Sequence, residues 1–272
     1  MRSPVCTPLA AFFNSCSGDD VTRRAPLLFS LLFFTACGGR GETRRNLTIR
    51  GKAQELRLYG SPNAAPVILS SGDGGWIGLV TQVAELLQRK GYYVIGFNSR
   101  AYLASFTSGT STLRTEDVPT DYLSLIVFAR QSSAARPVLA GTSEGAGLSV
   151  LAATADDVKA AVQGVVCLGL PDQNELGWRW QDFTVWITKK PPNEPSFMVE
   201  DIIRQVSPVP LAEIHSTQDE FLPLDQAKKM FAMAGEPKRM WVIEADNHRF
   251  SGNRLELEQR LLEALEWIKS PT

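Results

Sequence analysis

One serine of the sequence lies where a hydroxyl could act as a nucleophile. The stretch VLAGTSEGAG, residues 138–147, joins an apolar run, the sharp turn G-T-S-E-G and small residues that could begin a helix. This strand–turn–helix arrangement, the nucleophile elbow, lifts the serine hydroxyl clear of a sheet and leaves backbone N–H groups beside it. Side chains at the outer glycines would collide with neighbouring backbone. Ser143 is therefore a candidate nucleophile for acyl transfer; the alternative is a small residue in a glycine-rich turn.

A serine nucleophile needs a base that accepts its proton, and the chain has two histidines. His215 lies within the apolar stretch LAEIHST, which indicates a buried residue of a strand. His248 lies in EADNHRF, a polar loop between a strand and the last helix. We interpret His248 as the base; the alternative is a loop histidine that caps the final helix.

The base in turn needs an acid that orients its ring. Asp219, in STQDEFLP, follows a strand and precedes a helix that begins near Pro223. It lies between Ser143 and His248 in the chain, and the order serine, acid, histidine recurs in one class of serine hydrolases. We predict Asp219 as the acid, with three other carboxylates as alternatives: Asp172, Glu220 and Asp246.

Attack on an acyl carbon places negative charge on its oxygen, which preorganised N–H donors must stabilise. The residue after the nucleophile, Glu144, supplies one backbone N–H. The second should come from the glycine-rich stretch SGDGGW, residues 71–76, and we assign it to Asp73 or Gly74. The same stretch is also typical of a tight turn in which Asp73 caps the following helix, and both can hold together.

We expect the side chains of Trp76, Tyr102 and Glu144 to contact the substrate. Carboxylates at Glu144 and Asp73 would oppose an oxyanion unless they turn outward to line the mouth of a pocket. There they would favour a positively charged substrate group. The sequence predicts no metal and no other cofactor, because neither histidine has a Cys or His neighbour at ligand spacing.

The elements that must position these residues alternate between strands and helices. Buried apolar runs such as APVILSSG, YYVIGF and PVLAGT are each followed by a segment with helical spacing. This rhythm predicts an α/β protein with a mostly parallel, doubly wound sheet and helices on both faces. A leading hairpin before the βα succession matches the α/β-hydrolase layout. We predict one domain over residues 46–270.

One stretch interrupts the alternation. Residues 172–208 fall between two core strands, hold three of the six tryptophans and include DFTVWIT, which alternates enough to be an added strand. An insertion here would lie above the carboxyl ends of the strands, where ligands bind in such sheets. It is either a cap over the site or an excursion whose aromatic residues pack against the domain.

The N-terminal residues are typical of export. Residues 23–37, RRAPLLFSLLFFTAC, combine two arginines with a short apolar core and small residues before Cys37. This pattern indicates a secretory signal. It resembles a bacterial lipobox, in which the cysteine becomes the lipidated first residue. We predict a leader over residues 1–37, lipidation of Cys37 and a linker over residues 38–45; the alternative is an ordinary cleaved signal peptide, and translation could begin at Val21.

Composition limits the partners. A net charge of −1 gives no basic footprint, so we expect no nucleic-acid partner. If the leader is removed and Cys37 is acylated, Cys167 is the one cysteine left over from the four, and it forms no disulfide.

Several motifs resemble the VirJ/AcvB group of bacterial α/β-hydrolases over roughly residues 66–268. They are LSSGDGGW, GYYVIGFNSRAYL, GTSEGAG, HSTQDEFLP and DNHRF. The resemblance implies a periplasmic protein with a catalytic triad at Ser143, Asp219 and His248. It also implies hydrolysis of aminoacylated phosphatidylglycerol, notably the lysyl form. The elbow departs from the group at Thr142, Glu144 and Gly147.

We therefore expect a lipid-tethered serine esterase of the bacterial envelope that faces the periplasm and acts on aminoacyl-phospholipids or similar esters. Two alternatives remain: a non-catalytic envelope protein that uses the fold as a binding or export platform, and a general carboxylesterase. The sequence does not indicate an oligomeric state.

Overall fold

The computed structural model describes residues 41–179 and 194–271, and these form a central eight-stranded sheet with helices on both sides. The strand order is β1-β2-β4-β3-β5-β6-β9-β10, and a separate two-stranded sheet pairs β7 with β8. The strands are β1 Thr43–Ile49, β2 Lys52–Tyr59, β3 Pro66–Ser70, β4 Tyr93–Phe97, β5 Val138–Thr142, β6 Gly164–Leu168, β7 Gln173–Glu175, β8 Ser196–Met198, β9 Leu211–Ser216 and β10 Lys238–Ile243.

The α-helices of the described residues connect these strands. They are α1 Leu79–Arg89, α2 Ser99–Phe106, α3 Asp117–Arg130, α4 Glu144–Ala152, α5 Asp156–Ala161, α6 Val199–Ile202, α7 Leu224–Ala232 and α8 Arg254–Lys269. None of the helices described is long and apolar enough to cross a membrane.

The core of the sheet is parallel, as the alternation of strands and helices predicted. Strands β3 to β6, β9 and β10 pair in parallel, whereas β2 pairs antiparallel with β1 and with β4. Every residue of β3, β4, β5, β6 and β9 is buried, because helices cover both faces. Successive residues of one strand, such as Val67 and Ile68, belong to hydrophobic clusters on opposite faces. Helices α1 and α8 cover one face and α2 to α7 the other.

The predicted boundary between linker and domain is wrong by a few residues. Strand β1 begins at Thr43, inside the predicted linker, and pairs with β2 from that residue onward. Glu42 explains why the chain is already ordered there: its carboxylate accepts hydrogen bonds from the Tyr59 hydroxyl at 2.6 Å and from Arg57 Nη1 at 2.9 Å. These contacts fasten the start of the hairpin to β2.

The described part of the insertion lies at the carboxyl ends of the core strands. Its β7 contacts α4: the Asn174 side-chain amide donates to the Glu144 carbonyl at 2.8 Å, and the Glu175 N–H donates to Glu144 Oε1 at 3.0 Å. Residues 180–193 lie outside the described residues. They contain Trp180 and the predicted strand DFTVWIT, which includes Trp186. The insertion therefore supplies part of the wall around the candidate nucleophile.

Candidate active site

Ser143 lies in a sharp turn between β5 and α4. Its φ is +50°, a left-handed conformation that non-glycine residues rarely adopt and that is common at strained functional turns. Both outer glycines are required by close backbone approach. A Cβ at Gly141 would lie 2.2 Å from the Gly145 carbonyl oxygen, and one at Gly145 would lie 2.4 Å from the Ser71 carbonyl oxygen. The backbone thus has the geometry of a nucleophile elbow.

Asp219 and His248 are joined by a short hydrogen bond. The distance from Asp219 Oδ2 to His248 Nδ1 is 2.5 Å, and both residues are buried. The other carboxylate oxygen, Oδ1, accepts the N–H groups of Phe221 at 2.9 Å and Leu222 at 3.1 Å. Burial alone would raise the pKa of Asp219, but the hydrogen bond and charge of His248 and these two N–H groups lower it below its usual value. Asp219 therefore remains an anion that can orient an imidazole.

Ser143 and His248 line the same cavity, which has a volume of about 400 Å³. The His248 ring lies against Gly169, where a Cβ would be 2.7 Å from His248 Cε1, so a larger residue there would displace the ring. Among the hydrogen bonds of the described residues, none joins the Ser143 hydroxyl to His248. Such bonds are often long without substrate and tighten when it binds.

The loop after β3 approaches Ser143 closely, as an oxyanion loop must. A Cβ at Gly72 would lie 3.2 Å from Ser143 Cβ, a tight contact that would require Ser143 to shift by a few tenths of an ångström. The Gly75 N–H donates to the Gly72 carbonyl at 3.0 Å and closes a turn that carries Asp73 and Gly74 along the cavity wall. Glu144 begins α4, and the first N–H groups of a helix have no acceptor within it. Residues 72–75 and the first residue of α4, Glu144, therefore line one cavity with Ser143.

The predictions that Trp76 and Tyr102 contact the substrate are wrong. Neither lines the cavity, and Trp76 is 6% and Tyr102 0% exposed. The Trp76 indole packs on Gly96 and donates to the Tyr59 hydroxyl at 3.0 Å. The Tyr102 hydroxyl donates to Asp121 at 2.6 Å in the core. Both aromatic residues fill the interior of the domain.

Glu144 lies in the cavity, but its carboxyl is not a simple anion at its mouth. Burial, and then the charge of Glu175, raise the pKa of Glu144 to about 8. It is therefore mostly protonated at neutral pH, which corrects the expectation of two outward-facing carboxylates. Three further carboxyl groups line the same cavity, those of Asp73, Asp172 and Glu175. Arg249 lines it too.

Replacing Glu144 by glutamine is expected to stabilise the fold, increasingly so as the pH rises. A carboxyl whose pKa is raised on folding loses folding stability as pH increases from about 4.5 to about 8, after which the loss is constant. Glutamine keeps an acceptor for the Glu175 N–H and cannot ionise. We expect a Tm gain of about 4–8 °C at pH 8, equivalent to about 2 kcal/mol, and little gain at pH 4.5. Thermal melts from pH 4.5 to 9 measure it, and a gain that does not vary with pH would contradict it.

The sequence did not assign three residues to the surroundings of Ser143 and His248 that the structure places there: Gly169, Glu175 and Glu220. Glu220, considered only as an alternative acid, accepts the His248 N–H at 2.7 Å and so fixes the backbone of that loop. Gly169, with φ +66°, follows the buried strand β6. A glycine directly after a buried strand is the signal that could have indicated it. Among residues 41–179 and 194–271, no cluster of three His, Cys, Asp or Glu side chains could hold a metal ion.

Solved structures with similar backbones are α/β-hydrolases and esterases. The α/β-hydrolase GrgF from Penicillium has a TM-score of 0.64 at 12% identity and covers 85% of this chain and 99% of its own. The esterase Pf2001 of Pyrococcus furiosus has a TM-score of 0.62 at 15% identity, covering 83% and 90%. Est1E of Butyrivibrio proteoclasticus has a TM-score of 0.59 at 15% identity, covering 82% and 99%. The predicted α/β-hydrolase fold is confirmed.

Sequence comparison gives short matches to curated proteins and a long match to a family. The YfhR protein of Escherichia coli K12 is 36% identical over 55 residues, which are 20% of this chain and 19% of YfhR, so the chain spans only about a fifth of that relative. The family described as bacterial virulence protein (VirJ) matches residues 65–268, from the residue before β3 to near the end of α8. The chain therefore belongs to the VirJ family, as its motifs indicated.

Proposed function

We propose that this protein is a serine hydrolase that cleaves ester bonds. Ser143 is the nucleophile, His248 the base and Asp219 the acid that orients it. The observation that carries the proposal is the 2.5 Å bond from Asp219 to His248, at a cavity that Ser143 also lines from an elbow with φ +50°. A strained serine and a carboxylate-held histidine facing one space have the geometry of nucleophilic acyl transfer.

The reaction follows from this geometry. Ser143 Oγ attacks the ester carbonyl carbon while His248 Nε2 takes the hydroxyl proton, and Asp219 stabilises the imidazolium that forms. The backbone N–H of Glu144, with that of Asp73 or Gly74, stabilises the charge on the former carbonyl oxygen. Collapse expels the alcohol, which takes the proton from His248. Water then attacks the acyl-enzyme by the same proton route and releases the acid.

The charge of the cavity supports a substrate with a cationic acyl group. Asp172 and Glu175 lie on the insertion and Asp73 on the loop after β3, so three carboxyl groups from these segments line the cavity against one arginine, Arg249. An aminoacyl ester brings an ammonium group to this region, whereas a negatively charged acyl group is repelled. With the resemblance to the VirJ/AcvB group, this favours aminoacylated phospholipid, such as lysyl-phosphatidylglycerol, as the substrate.

We expect the protein to hydrolyse lysyl esters with a kcat/KM at least about tenfold above that of matched glutamyl esters, a difference of about 1.4 kcal/mol. Release of the free amino acid from vesicles carrying each phosphatidylglycerol ester measures this. The double variant Asp172→Asn with Glu175→Gln should reduce the ratio, whereas Asp246→Asn, outside the cavity lining, should not. Equal turnover of both esters by the native protein would refute the cationic subsite and leave a general carboxylesterase.

We also propose that the protein is held in the bacterial envelope, facing the periplasm, by a lipid on Cys37. The support is the arginine-led apolar segment and the small residues before this cysteine, all outside the described residues. A lipid anchor would keep the cavity near its phospholipid substrate. Metabolic labelling with a fatty acid should mark the native protein and not Cys37→Ser; labelling of both, or of neither, would contradict this assignment.

A further inference from the structure

Two titratable side chains lie buried on β9, close to the candidate acid. Glu213 and His215 are 2% and 0% exposed, and as residues i and i+2 of a strand they point to the same face of the sheet. His215 Nδ1 lies 3.1 Å from Glu213 Oε1. The reaction derived above uses neither of them.

His215 connects this pair to the loop that carries the acid. Its Nε2 lies 2.9 Å from the Leu222 carbonyl oxygen, and because a carbonyl only accepts, Nε2 must carry the proton and donate it. The N–H of the same Leu222 donates to Asp219 Oδ1 at 3.1 Å. Nε2 itself is 3.7 Å from Asp219 Oδ2, the oxygen that holds His248. His215 thus holds the backbone of Leu222, and Leu222 in turn holds the carboxylate of Asp219.

Glu213 connects the pair to the loop beneath the base. Its Oε1 accepts the Leu170 N–H at 3.1 Å, in the buried backbone just after β6. The preceding residue, Gly169, is the one against which the His248 ring lies. One buried pair on a central strand therefore restrains the supports of both Asp219 and His248.

The pair is costly for folding, which indicates a role beyond filling the core. Glu213 Oε2 is buried and has no hydrogen-bond partner among the described residues. Burial raises the pKa of Glu213, while His215, although burial opposes its charge, has its pKa raised by the hydrogen bond to Glu213. An apolar pair of similar volume would avoid this desolvation.

We propose that Glu213 and His215 are positioning residues: by holding the Leu222 carbonyl and the Leu170 N–H, they set the orientation of Asp219 and the seat of the His248 ring. This inference rests on the proposed function, because it concerns how the triad is aligned. Both residues then affect turnover by aligning the triad, without contacting the substrate.

Two amide substitutions of His215 separate positioning from folding. The amide nitrogen of His215→Gln can occupy the place of Nε2 and still donate to Leu222, whereas that of His215→Asn reaches only the place of Nδ1. We expect the glutamine variant to keep kcat within about threefold, and the asparagine variant to lose about 10²-fold with KM unchanged, as for a displaced catalytic group. The rate at which a fluorophosphonate labels Ser143 should follow the same order.

Repeating the His215 substitution in the Asp219→Asn variant separates an effect on positioning from an effect on stability. In Asp219→Asn, where no carboxylate is left to orient, replacing His215 by asparagine should slow labelling far less than in the native protein. An equal loss in both backgrounds, or equal activity of the two amide variants, would overturn the positioning role and leave the proposed function intact. Failure of the native protein itself to label at Ser143 would refute the function and the inference together.

Discussion

Replacing Ser143 by alanine is expected to lower kcat for ester hydrolysis by about 10⁴-fold or more, which is the usual cost of losing the nucleophile of a serine triad. Among the described residues that line the cavity, Thr142 carries the other hydroxyl, but it is the last residue of β5 and is buried, so it does not present its hydroxyl at the elbow as Ser143 does. The residual rate would come from binding and from the backbone N–H donors, which the substitution leaves in place. Turnover of a chromogenic ester and mass spectrometry after fluorophosphonate labelling measure the loss.

Ser149 provides the matched control for this experiment. It lies on α4, two turns beyond the elbow, is fully buried, and its hydroxyl donates to the Gly145 carbonyl at 2.7 Å. Ser149→Ala removes a hydroxyl from the same helix at a cost of about 1 kcal/mol in stability, without touching the cavity. It should label and turn over like the native protein. If Ser143→Ala instead keeps its activity, the protein uses another nucleophile; if the native protein neither turns over esters nor labels, it is a binding platform.

The sequence predicted where Ser143, Asp219 and His248 lie better than it predicted the contacts of the residues around them, for a physical reason. In a parallel sheet the segments that follow each strand meet at one edge, so the serine after β5, the carboxylate after β9 and the histidine after β10 converge whatever the details of packing. The structure joins Asp219 to His248 and opens one cavity to His248 and Ser143. Order in the chain and position after a strand are both readable from sequence.

Side-chain surroundings are not readable in the same way. Trp76 belongs to the same stretch as Asp73, but its indole turns inward because Gly96 on β4 leaves space for it, a contact between residues distant in the chain. The pKa of Glu144 is raised to about 8 because β7 folds over its carboxyl, which buries it and brings Glu175 close. Both outcomes depend on long-range packing that no local motif encodes.

For His215 the sequence predicted the burial of the side chain but not its contacts. Its apolar neighbours in LAEIHST predicted a buried sheet residue, and it is fully buried on β9. Its partners are Glu213, two residues away, and the carbonyl of Leu222, beyond the end of the strand. Only the turn that brings residues 219–222 back over the strand reveals that this core histidine touches the loop of the acid.

Replacing Asp219 by asparagine is expected to reduce kcat by about 10⁴-fold while leaving the fold intact. Asp219 Oδ1 accepts two backbone N–H groups, from Phe221 and Leu222, so the asparagine oxygen must take that position. Its NH₂ group then takes the place of Oδ2 and donates to His248 Nδ1. The imidazole is forced to carry its proton on Nε2, where it cannot accept one from Ser143.

The backbone contacts therefore determine which way the amide turns, and the loss comes from the wrong tautomer rather than from a displaced ring. The matched control is Asp246→Asn, because Asp246 is an exposed carboxylate two residues from His248 and was an alternative acid. It should keep near-native kcat, and both variants should melt close to the native protein. A large loss in Asp246→Asn with native activity in Asp219→Asn would reassign the acid. Comparable modest losses in both would mean that neither carboxylate orients the base, and that the short bond from Asp219 to His248 serves the fold alone.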